Sequence, residues 1–97
     1  MGYARHYVMI ARDDQALELS KALADLATAV RAVPGCQSVE YYQQLDAATH
    51  FIFIECWDSL DAHKAGGALL GKVVFAPVFA ALAAPPATTA LTPCLHL

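Results

Sequence analysis

The period at which apolar residues recur changes several times along the chain, and each change marks an element. Between Tyr3 and Arg12 apolar groups occupy both parities, Tyr7 and Met9 on one and Val8 and Ile10 on the other, among β-favouring residues. This predicts a first strand covered on both faces. The period then lengthens: Leu19, Leu23, Leu26, Val30 and Val33 form one helical stripe, with Glu18, Lys21, Asp25 and Thr28 on the wet side. Asp13 or Asp14 is placed to cap that helix, and Pro34-Gly35 to stop it.

A second strand is expected from about Cys36 to Leu45, only half apolar, followed by a tight connection through Asp46-Ala47-Ala48-Thr49. The third, His50 to Trp57, alternates cleanly. Ile52, Ile54 and Cys56 point one way, and Phe51, Phe53, Glu55 and Trp57 the other, so the single charge sits between two aromatics. Asp58 or Ser59 caps the next helix. Gly66-Gly67 and Gly71 interrupt it, which predicts a short helix from about Ser59 to Ala65, a loosened segment, and further helix to Ala84 that Pro77 kinks or restarts. Leu70, Val74, Val78 and Leu82 share one side of this second piece. The closing TTALTPCLHL reads as a strand that Pro93 confines to an edge, a bulge or a strand end.

The order βαββαβ is that of an α+β, ferredoxin-like domain: a four-stranded antiparallel sheet with its helices on one face. The other face is bare and partly apolar, so two sheets are expected to pair face to face in a homodimer. Composition strengthens that expectation. Of the 97 residues, 58% are hydrophobic and only 15% charged, more apolar surface than one small core can hide, which predicts a subunit interface, a lined cavity or both. A net charge of −3 with scattered Lys and Arg argues against nucleic acid and against an anionic membrane surface. The first residues lack the pattern of a signal peptide, and no apolar run approaches a membrane span, so a cytoplasmic location is expected. Cys36, Cys56 and Cys94 contain no C-x-x-C pair and read as buried reduced thiols. Histidines and cysteines are dispersed and no phosphate-cradling loop follows a strand, so neither a metal nor a bound flavin or nicotinamide is expected.

Three stretches in order, PGCQSVEYYQQ, THFIFIECWDS and AHKAGGALLGKVVFAPVFAAL, resemble the antibiotic biosynthesis monooxygenase family. The Pro34-Gly35-Cys36 helix exit and the Glu55-x-Trp57-x-Ser59 junction carry most of the likeness. The resemblance implies a dimeric α/β barrel, without cofactor, whose pocket between sheet and helices takes a small electron-rich aromatic such as a hydroquinone or polyphenol, with O₂ as co-substrate. Two departures bear on it. Many family members have the second-helix histidine about nine residues after the tryptophan, whereas His63 follows Trp57 by six, and the chain lacks the asparagine that the haem-degrading branch uses.

Under that resemblance Trp57 and Phe53 form a stacking wall, with Phe75 and Phe79 opposite on the helix. His63 is the first candidate for handling a proton or stabilising an anion, since histidine titrates near neutrality, and His6 is the second. Tyr7 and Tyr42 are candidate phenol donors. Glu55 is either a base or, the reading preferred here, a structural partner of Arg5 or Arg12. Two other function classes fit the same scaffold: a small-molecule binder or sensor without catalysis, and an isomerase or cyclase-like enzyme that uses no O₂.

Overall fold

A computed structural model describes residues 2–95, and its elements follow the periodicity of the sequence. They are β1 (Tyr3–Ile10), α1 (Ala16–Arg31), β2 (Cys36–Gln43), β3 (His50–Trp57), α2 (Leu60–Leu70), α3 (Ala76–Ala81) and β4 (Ala87–Leu91). The sheet runs β2-β3-β1-β4 with every neighbouring pair antiparallel. This is the expected ferredoxin-like α+β fold. His96 and Leu97, at the end of the anticipated last strand, lie outside the described residues.

Strand register separates the two faces. Tyr3, Arg5, Tyr7 and Met9 of β1 stand opposite Trp57, Glu55, Phe53 and Phe51 of β3, and Cys36, Val39 and Tyr41 of β2 join them. Helix α1 closes over this face with Leu19, Ala22, Leu23, Leu26 and Val30 buried. Each of its four large side chains contributes roughly 1.5–3 kcal/mol by leaving water. Against a typical net stability of about 5–15 kcal/mol, the sheet depends on that cover. The opposite face carries His6, Val8 and Ile10 beside Ile54, Ile52 and His50, half-buried or exposed, with no helix over them.

Several boundaries differ from those expected. Neither Asp13 nor Asp14 caps α1; both lie in a turn in which the Gln15 amide donates to the Arg12 carbonyl, and Gln15 itself is the N-cap, without a side-chain bond. β2 ends at Gln43, two residues early, where the Gln44 amide turns to the His50 carbonyl. Ser59, rather than Asp58, caps α2, its hydroxyl accepting from the Ala62 amide at 3.0 Å. That helix runs unbroken through Gly66-Gly67, and Gly71, at φ +72°, ends it. Residues 71–75 form turns rather than helix, so the apolar side that was to run from Leu70 to Leu82 is split. Pro77 lies in the first turn of α3, where its missing amide costs nothing, and α3 stops at Ala81. There the Arg12 amide bonds the Ala81 carbonyl and the Ala83 amide the Ile10 carbonyl, so the chain leaves the helix to pair with the end of β1.

Candidate functional site

Alternation on β3 brings Phe53, Glu55 and Trp57 to one face, under the helices, and β1 adds Tyr7 beside Phe53. Glu55 is the one buried charged side chain among the described residues, 6% exposed. Two donors and a ring nitrogen converge on its Oε1. Trp57 Nε1 donates at 3.0 Å and the Tyr7 hydroxyl at 3.4 Å, while His63 Nε2, from the first turns of α2, lies 3.8 Å away. The His63 ring packs edge-on to the Trp57 indole, centroids 5.6 Å apart, and against Tyr3 at 5.3 Å. Its Nδ1 is buried with no hydrogen-bond partner, as is Arg5 Nε.

Trp57 can lie this close to α2 because of Gly66. A methyl group there would stand 2.7 Å from the indole edge and 2.9 Å from Val33. Glycine is thus required by close approach and not by turn geometry.

Two adjoining cavities open beside this cluster. The larger, about 90 Å³, is lined by Tyr7, Met9, Leu26, Phe53, Glu55, Phe75, Val78, Phe79 and Pro86. The smaller, about 50 Å³, lies among Tyr7, Glu55, Trp57, His63, Gly67, Leu70 and Phe75. Tyr7, Glu55 and Phe75 line both, so the two cavities are neighbours, the larger mostly apolar and the smaller adding Trp57 and His63 to its wall. Of the residues expected at the site, Phe53 and Phe79 line the larger cavity, Trp57 and His63 the smaller, and Tyr7 and Phe75 both.

Burial decides the ionisation of the polar end. Loss of water raises the Glu55 pKa above its ordinary value, opposed by the bonds from Trp57 and Tyr7 and by the Arg5 charge. Burial, then Arg5 and Lys64, lowers that of His63, leaving a neutral imidazole near pH 7. Tyr7 is pushed up by burial first and by the Glu55 charge second, so its phenol stays protonated and can only donate to that carboxylate.

Four expectations need correction. His6 is paired with Ile54 on the helix-free face, because its parity on β1 is opposite to that of Tyr7. Tyr42 is on that same face of β2, exposed, and bonds Glu40. The proposed ion pair of Glu55 with Arg12 does not form: Arg12 Nε donates to the Leu82 carbonyl. Arg5 does stand opposite Glu55, but its guanidinium bonds the Tyr3 hydroxyl at 3.0 Å and lies over the Tyr7 ring, so it acts on Glu55 through its field. Of the cysteines only Cys36 is buried; Cys56 is partly exposed and Cys94 exposed. Met9, Leu26, Val78 and Pro86 were missed as lining residues, since only the packing of α1 and α3 over the sheet brings them together. Among the described residues there is no cluster of three or more His, Cys, Asp or Glu that could hold a metal ion, and no helix long and apolar enough to cross a membrane.

The sequence profile of the family described as antibiotic biosynthesis monooxygenase matches residues 3–65. Solved structures align over almost all of the chain. Rv0793 from Mycobacterium tuberculosis shares 26% identity at a TM-score of 0.85, covering 99% of this chain and 98% of that one. SnoaB, a cofactor-independent oxygenase from Streptomyces nogalater whose structure was solved as a point mutant, shares 16% at 0.82, covering 99% and 96%. PA3566 from Pseudomonas aeruginosa shares 19% at 0.82, covering 97% and 95%. At the identities of the last two, the likeness speaks for the fold alone. No curated protein matches the sequence.

Proposed function

The chain belongs to the antibiotic biosynthesis monooxygenase family, and from that premise we propose that it oxidises a small phenol or hydroquinone with O₂ in the space between sheet and helices. The observation that carries this reading is the cavity itself: an aromatic and aliphatic slot with its polar groups gathered at one end around Glu55. An apolar cavity of roughly 150 Å³ accepts a benzene ring. Spaces of about 90 and 50 Å³ with three lining residues in common would, joined, be on the scale of one ring.

Phe53 and Trp57 on the sheet and Phe75 and Phe79 on the helix side hold such a ring, and the apolar walls keep water from the reacting carbon. The ring hydroxyl turns to the polar end. After deprotonation the phenolate gives one electron to O₂, and recombination of the radical pair forms a carbon–oxygen bond. Loss of water from the resulting hydroperoxide leaves a quinone, so that phenol and O₂ become quinone and water in balance. Trp57 and His63 border the smaller lobe, where the indole walls the ring and His63 steadies the anion and passes protons.

The helix-free face, with Ile10, Tyr42 and Leu91 exposed and Val8, Ile52 and Ile54 half-buried, fits sheet-to-sheet pairing in a homodimer. Three free cysteines fit a reducing compartment such as the cytoplasm. Oxygen uptake with a panel of monocyclic and polycyclic quinols tests the activity. Uptake should favour the monocyclic members and fall about a hundredfold in Trp57→Ala and His63→Ala. A ligand that binds tightly and is never oxidised would overturn the oxygenase reading.

A further inference from the structure

We propose that the Glu55 carboxylate is the base that takes the hydroxyl proton of the bound ring. This deepens the reading above and rests on its placement of a phenol in the cavity. The larger lobe offers a ligand only two polar side chains, Tyr7 and Glu55. Tyr7 already directs its hydroxyl to Glu55 Oε1 and, buried beside a carboxylate, keeps its own proton. A hydroxyl in that lobe has one anionic acceptor within its walls. His63 borders only the smaller lobe and stands behind Glu55, its Nε2 3.8 Å from the same oxygen.

The groups around Glu55 fit this task. Arg5 and Tyr7 reach it from β1, Cys36 lies within its field on β2, and His63 faces it from α2. Helices α1 and α3 bring only Leu26, Val78 and Phe79 to the cavity. Burial raises the affinity of Glu55 for a proton toward the working range of a general base, while the donors of Trp57 and Tyr7 keep the carboxylate oriented. In the step itself the ring O–H bond breaks, a bond from hydrogen to a Glu55 oxygen forms, and the electron pair stays on the ring oxygen. No oxidant is needed until O₂ takes an electron from the phenolate.

The test uses the full chain with 4-nitrophenol, which absorbs differently as phenol and as phenolate and needs no O₂, binding being followed by the fluorescence of the single tryptophan, Trp57. Wild type should bind the neutral phenol and reject the phenolate at least tenfold, because two anions would then meet. Glu55→Gln keeps an oxygen for Trp57 but has no charge, and should bind the phenolate at least as well as the phenol. With an oxidised substrate the same variant should lose about 10²–10⁴ in kcat and the acid limb of the kcat/KM profile. A Glu55 that merely orients Trp57 predicts the same pH dependence of binding in both proteins, and that result overturns the proposal. Should Glu55→Gln not fold, wild type decides alone: equal affinity for phenol and phenolate, or no phenol binding at all, refutes it. Rejection of the phenolate without any oxygen uptake would sink the oxygenase reading and leave Glu55 as the proton acceptor.

Discussion

Gly66 and Gly67 are adjacent in one helix, yet alanine at each should act in opposite directions. In a helix interior glycine is about 1 kcal/mol worse than alanine, so on propensity alone both substitutions stabilise. At Gly67 nothing lies within 4 Å of an added methyl, and the gain should be realised nearly in full. At Gly66 the methyl would meet Trp57 Cη2 at 2.7 Å, Cζ3 at 3.0 Å and Val33 Cγ1 at 2.9 Å. An indole that is 2% exposed and a β-branched side chain have little room to retreat, and overpacking of this kind costs about 1–3 kcal/mol. The net for Gly66→Ala is a loss of roughly 0–2 kcal/mol, leaving the two variants about 1–3 kcal/mol apart. At about 4–8 °C per kcal/mol for a domain of this size, their Tm values should differ by at least about 4 °C, with Gly67→Ala above wild type. The Trp57 emission should change in Gly66→Ala, since the indole is displaced from its 3.0 Å bond to Glu55. Calorimetry and fluorescence on the three proteins suffice. Equal Tm gains in both variants would mean that α2 does not press on Trp57, and with it the account of how the site is walled would fall.

Further outcomes follow from single contacts. Leu23, fully buried in α1, should cost about 2–5 kcal/mol as Leu23→Ala in urea unfolding, and a loss under 1 kcal/mol would contradict its place in the core. Ser59→Ala removes the only side-chain cap of α2 and should cost about 1 kcal/mol by the same assay, with amide exchange rising at Ala62; unchanged protection would argue against the bond. His63, with its pKa lowered by burial and by Arg5 and Lys64, makes the folded protein bind fewer protons than the unfolded chain just below the ordinary imidazole value of about 6.5. Its contribution to stability therefore falls as the pH drops through that window, and His63→Gln should gain on wild type from about pH 7.5 to about pH 5. Parallel stability curves for the two proteins would show that the ring is not desolvated.

Strand periodicity made the site's floor legible, because a period of two assigns Phe53, Glu55 and Trp57 to one face whatever packs above them. The same rule, applied to β1, already excludes His6 once Tyr7 is placed, since adjacent residues of a strand cannot share a face. Helix geometry was harder to read. Gly66-Gly67 signals a break by propensity, yet the helix continues there, and only the bulk of Trp57 against α2 explains why position 66 needs a residue without a side chain. The interval of six between Trp57 and His63 looked like a displaced match, yet Ser59 starts α2 two residues past Trp57, and that places His63 in the helix's first turn, edge-on to the indole.

What the sequence concealed was the pairing of charge. Arg5 stands opposite Glu55, and opposite charges in register across a strand pair ordinarily imply a structural ion pair. Tyr3 and Tyr7 intervene: one accepts the guanidinium, and the other lies beneath it and donates to the carboxylate. Their phenols divert the cation and leave Glu55 buried with neutral donors, a higher proton affinity and an open side toward the cavity. A carboxylate neutralised by a close arginine would be a poor base, whereas one held by an indole and a phenol keeps its charge available. Replacing Tyr3 by Phe should therefore release Arg5 toward Glu55 and lower the carboxylate's pKa, so the acid limb of the kcat/KM profile would move to lower pH with little change in stability. An acid limb that stays in place would show that the tyrosines do not control the charge on Glu55.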